Sequence, residues 1–578
     1  MTYTEIKEKG EKKYYYRVKS IRKGEKVDKQ RVYLGGNLKK QELHEKEHEA
    51  DKKLLNIQEK KIEIKEIEAS KNLGSLGSNK KSENNTGSSI KKLDISDKKI
   101  TFNIDKNKDF SDWYTEIIQK AELADLRYNI KGFLVFQPWS VLSMEKMFKH
   151  MEEALQKKGH KPYWFPTLIP ESNLKKESSH IKGFTPSVFW VTHGGETKLE
   201  EKYALRPTSE TLFYQMFSLW IRSYKDLPFK TYQRANVFRY ETSATRPFLR
   251  SREFHWIEAH CAHATQEDAM KQVHEDMETT KEVLHDIFGL PFIFFERPSW
   301  DKFPGAYRTF AADVLNPGGK LVQQPSTHII SQEFSKAFDV KFKDKDETEK
   351  YCWITCYGPA ISRIFASIIA VHGDNKGLKF PWKIAPIQII IIPIGNDEKI
   401  TQEANKIKKQ LENNNISVDI DNSDKRLGEK FYFWEMKGVP IRLELGKREL
   451  DKNEITIYRR DTNNKETIKI NDLFNYIEKT SIDIDKNLTK EADKLFDNNL
   501  IDVKTKQEIK DVIEQGKIAR CGFCSVDKEG EACAEVIEKE TGAQVRGTKL
   551  EEKLDKNLPK CAICNKKANH IVYVARQY

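Results

Sequence analysis

No run of about eighteen apolar residues occurs in the chain, so no membrane-spanning helix is expected. The first residues, MTYTEIKEKGEKKYYY, lack the apolar stretch that a signal peptide or anchor requires. No G-x-G-x-x-G follows a strand pattern and no G-x-x-x-x-G-K-[ST] occurs, so neither a dinucleotide fold nor a P-loop is signalled. Cysteine is scarce, with eight in 578 residues, and five of those fall in the last sixty. These absences make the cytoplasm the default location, and there such a cluster argues for metal rather than disulfides.

What is present is enough to build several domains. The chain is 38% hydrophobic and 11% aromatic, and its length predicts three or four folding units. The formal charge of +12 is a mild pointer to an anionic partner. Residues 1–35 read as a basic β-hairpin, YYYRVKSIR and VDKQRVYLGG about a KGEK turn, with eleven basic residues against five acidic. Its Tyr14, Tyr15 and Tyr16 fit either a nucleic-acid grip or a plain sheet with one aromatic face. A charged helix pattern over 38–67 completes an accessory module (1–68), and the Gly/Ser/Asn-rich stretch 69–92 reads as a flexible linker. Residues 93–383 mix a helix pattern at 139–159 with strand-like runs such as KTYQRANVFRYE and FHWIEAHCAHA. That grouping predicts an α+β domain with a mainly antiparallel sheet. From PIQIIIIPIG onward, strands and helices alternate as in a small α/β domain (384–480), and a helical stretch precedes the cysteines in 481–578.

The stretch FRYETSATRPFLRSREF (238–254) crowds four arginines and two glutamates between aromatic residues. Buried charges need partners. Arg239 and Glu241, two apart on a strand, would share a face, and an arginine fork holds a phosphate while Phe254 stacks on a planar base. With its loop and the following Arg250-x-x-x-Phe254, this resembles motif 2 of the class II aminoacyl-tRNA synthetases. KPYWFP with Pro166 resembles motif 1, the dimer interface of that class, and CYGPAISRIFASIIAVHGDNKG resembles motif 3 with Arg363 at its arginine. RPTSET (206–211), RPFLRSREFHWIEAHCAHAT, HGDNKGL and WEMKGVPIRLELG follow in the order of the prolyl-tRNA synthetases of archaeal and eukaryotic type.

The resemblance implies a homodimeric ligase that activates L-proline with ATP and Mg²⁺ and transfers it to tRNA(Pro). It implies that Thr208 and Glu210 hold the amine, that Arg239 contacts the carboxylate and the α-phosphate, and that Trp256, Glu258, His260, Phe303, Ser326 and His328 frame the proline. Glu241, Arg250, Phe254, Gln323 and Arg363 would serve ATP, with Arg239 and Arg363 as the catalytic charges. Phe254 and Arg363 lie 109 positions apart in family-like sequence, so no inserted editing domain is expected. In the α/β domain Glu435, Lys437 and Arg442 become candidate readers of the anticodon guanines. At the end of the chain, Cys561-x-x-Cys564 has the spacing of a zinc knuckle, and Cys533 with Cys524 or Cys521 would complete a structural Zn²⁺ site, Cys524 being favoured. His570 is a weaker alternate ligand.

Three departures fall near the substrate: Pro325, Pro304 and Gly358-Pro359-Ala360 stand where relatives carry other residues. Proline removes a donor and fixes φ, so backbone contacts there are open to question. Two other readings stand beside the enzyme. One is a regulatory protein that kept the fold; retention of Arg239, Glu241, Arg250 and Arg363 counts against it. The other is a threonyl enzyme, against which stands the lack of a matching active-site Cys/His zinc set.

Overall fold

A computed structural model describes residues 2–9, 12–23, 26–36, 42, 46, 50, 104–178, 188–240, 245–330, 332–550 and 552–578. The 69–92 stretch lies outside them, and of the helix expected over 38–67 only residues 42, 46 and 50 are described, as helical. The chain divides into two compact units, Met1–Asp97 and Lys98–Tyr578.

In the first unit the expected hairpin is β2 (Lys12–Lys23) and β3 (Lys26–Gly36), but β1 (Thr2–Lys9) pairs antiparallel with β2 and makes a three-stranded sheet. TYTEIKEK has too few apolar residues to announce a strand, and it acquires its ladder from the edge that β2 offers.

The second unit is built on one sheet. Its helix α1 (Pro138–Lys157) begins with proline at its first turn, where a missing N–H costs nothing. It is followed by β4 (Lys161–Pro162). Helix α2 (Glu210–Trp220) precedes the hairpin β5 (Phe229–Phe238) and β6 (Glu253–His263), and α3 (Gln266–Thr280) follows it. Then come β7 (Ile293–Glu296), β8 (Ala306–Asn316), β9 (Lys320–Ile330), β10 (Trp353–Tyr357) and the nearly all-buried helix α4 (Ile361–His372). The interval between Phe254 and Arg363 is thus occupied by strands and helices of the same sheet. In the smaller α/β domain β11 (Ile389–Ile394) lies between β12 (Val418–Ile420) and β13 (Ile441–Gly446), parallel to both, while β14 (Glu454–Arg459) pairs antiparallel with β13 and β15 (Lys465–Lys469) antiparallel with β14. Ile389 to Ile392 are buried on both faces, as a central parallel strand requires.

Helix α5 (Leu473–Asp497) runs unbroken across the boundary expected at 480/481. Beyond it lie β16 (Leu500–Val503), β17 (Ile518–Phe523), α6 (Lys528–Thr541), β18 (Gln544–Lys549) and β19 (His570–Ala575). These strands extend the catalytic sheet. Its eleven strands run β16-β17-β19-β18-β7-β8-β9-β10-β6-β5-β4. Among the described residues no helix is long and apolar enough to cross a membrane.

The join is the antiparallel pairing of β7 with β18, Phe295 opposite Lys549 and Glu296 opposite Thr548. Gly547, at a bulge with φ 130°, lets the two backbones approach: any Cβ there would collide with the Glu296 carbonyl. Gly547→Ala is expected to open this join. Hydrogen exchange should show faster exchange of the β7 and β18 amides while β11 to β14 stay protected; unchanged protection at the join would refute the assignment.

Candidate functional site

The hairpin β5–β6 sets the site. Its register places Val237 opposite Phe254 and Gln233 opposite Glu258, and Arg239 N–H continues the ladder to Arg252 O at 2.8 Å. Two adjoining cavities open on it. The first, about 330 Å³, is lined by Thr208, Glu210, Arg239, Trp256, Phe303 and His328, with Ser326 and Pro304 beside them. The second, about 310 Å³, is lined by Arg250, Phe248, Ser251, Ser362, Gln577 and Tyr578. Arg239, Phe254, Gln323 and Arg363 belong to both walls and therefore stand where the two cavities meet.

Arg239 is fixed by its Nε donating to Pro207 O at 3.1 Å, and its guanidinium lies 5.3 Å from the centre of the Phe254 ring. Arg363, in the first turn of α4, donates to Leu249 O at 3.3 Å and Gln323 O at 3.2 Å. Both arginines are thus held by neutral carbonyls. Trp256 packs edge-on to Phe254, and its buried Nε1 has no hydrogen-bond partner among the described residues. Glu241 lies outside the described residues.

Glu258 and His260 do not line either cavity. They form a layer behind the first wall, where Glu258 accepts from Ser209 N–H at 3.0 Å and from Thr208 Oγ1 at 3.1 Å. Thr208 Oγ1 also reaches Glu210, and His260 joins Glu258 to Tyr214 OH through contacts of 3.2 Å on each ring nitrogen. Burial opposes the charge of Glu258, but the His260 contact and the Ser209 donors hold its carboxyl below the usual range. His328 bridges Thr309 Oγ1 and Ser326 Oγ, both at 3.1 Å. Burial, with Arg297 nearby, pushes its ring down to about 3, so it stays neutral at physiological pH.

The prolines are accommodated. Pro325 sits in the β8–β9 irregularity between the pairs Ala311–Ser326 and Asp313–Gln323, where no ladder N–H is required. Pro359 contributes its carbonyl, which accepts from Ile257 N–H at 3.0 Å, and Gly358 N–H donates to Ser326 O at 2.9 Å.

Sequence reading missed a charged triad. Asp313 on β8 takes Arg297 at 2.7 Å and Arg546 of β18 at 2.9 Å, all three buried, and both arginines line the first cavity. Arg546 also donates to Gln577 Oε1 at 2.6 Å. The one local sign was an arginine directly after the apolar run FIFFE; its partner in β18 is 249 positions away.

The sulfurs of Cys524, Cys533, Cys561 and Cys564 lie within 4.8 Å of one another, with Cys524 and Cys533 at 3.8 Å. A zinc tetrahedron with bonds of about 2.3 Å needs sulfurs about 3.8 Å apart, so the four fit one. Cys521, on β17, is packed in the apolar core instead. Glu435, Lys437 and Arg442 differ from the expectation of exposed readers. Lys437 Nζ is buried against Ala121 O at 2.8 Å and Glu122 at 2.7 Å, bracing the α/β domain on the catalytic one. Arg442 is buried between Glu435 and Glu444, at 2.9 Å and 3.0 Å.

Residues 189–372 match the tRNA synthetase class II core domain (G, H, P, S and T), 388–480 the anticodon binding domain, and 506–578 the prolyl-tRNA synthetase C-terminal domain. A proline--tRNA ligase of Thermofilum pendens is 44% identical over 481 residues, 82% of this chain and 98% of that protein. One of Methanopyrus kandleri is 40% identical over 474 residues, covering 81% and 96%. The structure of Giardia lamblia prolyl-tRNA synthetase in complex with prolyl-adenylate superposes with a TM-score of 0.80 at 37% identity, over 83% of this chain and 100% of that one. The Cryptosporidium parvum enzyme complexed with halofuginone and AMPPNP gives 0.78 at 32%, over 83% and 99%.

Behind the site, Asp276 accepts from Thr327 Oγ1 at 2.6 Å and Gln272 Nε2 at 2.9 Å, and burial pushes its carboxyl from 3.8 up to about 7. A raised carboxyl binds a proton in the folded chain that the unfolded chain releases, so its stabilising contribution is complete below pH 3.8 and fades as pH rises through 7. Asp276→Asn should remove that dependence. Thermal midpoints of parent and variant should diverge between about pH 5 and 8, the parent falling relative to the variant; parallel curves would refute the assignment.

Proposed function

The chain belongs to the prolyl-tRNA synthetases, a family of proline--tRNA ligases, and we propose how its own residues carry out that activity. L-Proline occupies the first cavity and ATP the second, the reacting groups meeting between Arg239 and Arg363. The arrangement that carries this reading is the pair of arginines common to both walls, each anchored through backbone carbonyls at the junction of the two cavities.

Thr208 and Glu210 hold the secondary ammonium, with Glu258 and His260 fixing them from behind. Trp256, Phe303, Ser326 and neutral His328 wall the ring. The proline carboxylate attacks the α-phosphate in line, the bond to pyrophosphate breaks, and prolyl-adenylate forms. The carboxylate is already ionised, so this step needs no general base; positioning and charge stabilisation suffice. Phe254 stacks on adenine, Arg250, Gln323 and Glu241 orient the nucleotide, and Mg²⁺ accompanies the phosphates. The 3′-terminal adenosine hydroxyl of tRNA(Pro) then attacks the carbonyl and releases AMP.

We assign anticodon binding to 388–480, with Glu435, Lys437 and Arg442 holding the frame on which single-stranded bases are read. The dimer interface lies at the motif 1 edge: β4 ends the large sheet, Trp164 is 91% exposed, and Leu219 and Trp220 are exposed nearby. Cys524, Cys533, Cys561 and Cys564 hold a structural Zn²⁺, which with four thiolates offers no open position for catalysis. The cytoplasm is the compartment this activity requires.

Arg239→Ala should cost about 3 kcal/mol in the transition state, a loss of roughly a hundredfold or more in proline-dependent ATP–pyrophosphate exchange. Near-normal exchange would sink the central assignment. Elemental analysis should find one zinc per chain; Cys564→Ser should lower it and Cys521→Ser should not. Equal zinc in all three would overturn the ligand set.

A further inference from the structure

The first unit adds a surface that the aminoacylation reading leaves unused. Lys13, Tyr15 and Arg17 alternate along β2, so they share one face of the three-stranded sheet. The register sets Thr4 of β1 opposite Arg17 and Ile6 opposite Tyr15, with Val32 of β3 on the other side of Arg17. Arg17 donates to Thr4 Oγ1 at 2.9 Å, which lays its guanidinium along the sheet. Ile6 is 53% exposed and Lys13 is exposed, whereas Val18, on the opposite face, is fully buried. The middle strand thus buries Val18 on one face and on the other presents a cation, an aromatic ring and an arginine in line.

We propose that this face binds the sugar-phosphate backbone of the tRNA that the enzyme charges, an inference that rests on the function proposed above. Residues 1–35 carry eleven basic and five acidic side chains, a net charge of +6 on a small sheet. A polyanion is the complement of that charge. The substrate tRNA is the polyanion the chain must already engage, and the unit lies outside the three matched domains, 189–372, 388–480 and 506–578. Lys13 and Arg17 neutralise phosphates while Tyr15 lies against a ribose or an unstacked base between them. With Lys13 and Arg17 both engaged on phosphates, the contact adds affinity without sequence preference.

The test uses the full chain with Lys13→Glu and Arg17→Glu combined, against unaltered protein, binding tRNA(Pro) transcript over a series of salt concentrations. Affinity should fall roughly tenfold near physiological salt, and the slope of log Kd against log salt should shrink by about 2, one per lost phosphate contact. A non-cognate tRNA should lose the same factor. KM for tRNA should rise with kcat unchanged, and proline-dependent exchange, measured without tRNA, should not move. Unchanged tRNA affinity and slope would overturn the proposal and leave the unit to a protein partner. If the charge reversal unfolds the sheet, Lys13→Gln with Arg17→Gln decides by the same readout, with a smaller loss of about threefold. Absence of proline-dependent exchange in the unaltered chain would strike the aminoacylation reading alone, because tRNA binding is scored separately.

Discussion

The architecture of the second unit turns on one buried carboxylate. Asp313 sits at the middle of the large sheet between two guanidiniums, Arg297 beside β7 and Arg546 on β18. Burial works against its charge, yet the two arginines hold its carboxyl below the usual range. Removing either partner would leave an uncompensated charge in a dry place, which costs more than the pair contributes when intact. The triad thus works less as a source of stability than as a condition on assembly. The C-terminal strands fit the catalytic sheet only when all three charges meet. Since Arg297 and Arg546 also face the first cavity, that cavity is complete only in the docked state.

Behind the cavities lies a layer of hydrogen-bonded polar groups. Glu258 gathers Ser209, Thr208, Gln233 and His260; His328 bridges two hydroxyls; Asp276 takes Thr327 and Gln272. Such layers fix the rotamers of the groups in front of them, which is what a site relying on positioning requires. Arg239 and Arg363 are anchored through backbone carbonyls, Pro207 O for the first and Leu249 O and Gln323 O for the second.

Much of this was legible in the sequence because it is local. The helix expected over 139–159 is Pro138–Lys157, and Phe254 lies on β6 opposite Val237, while β5 ends at Phe238, one residue before Arg239. The order of apolar strands after Pro386 gave the α/β domain for the same reason: a strand buried on both faces must be written in isoleucine and valine. Cys524 over Cys521 was a matter of one turn of chain, and the strand end at Phe523 settles which sulfur leaves the core. Charged residues carried no such local signature. Lys437 and Arg442 look like surface readers in a list of residues, and only their partners, Glu122 being 315 positions away, show them to be buried braces. The third N-terminal strand was unreadable because its stability lies in the neighbour's edge rather than in its own side chains.

The pairing of Phe295 with Lys549 closes a loop of 254 residues (549 minus 295), and that span has a bearing on how the molecule forms. Contacts so distant along the chain are entropically the last to be rewarded, so a sheet that depends on them belongs to the slow end of folding. Until that closure, β7 is an edge with unsatisfied backbone groups and an apolar flank, a template for adding a strand from another chain. The same join that completes the pocket in the native protein thus defines the interval during which a nascent or refolding chain is most exposed to aggregation.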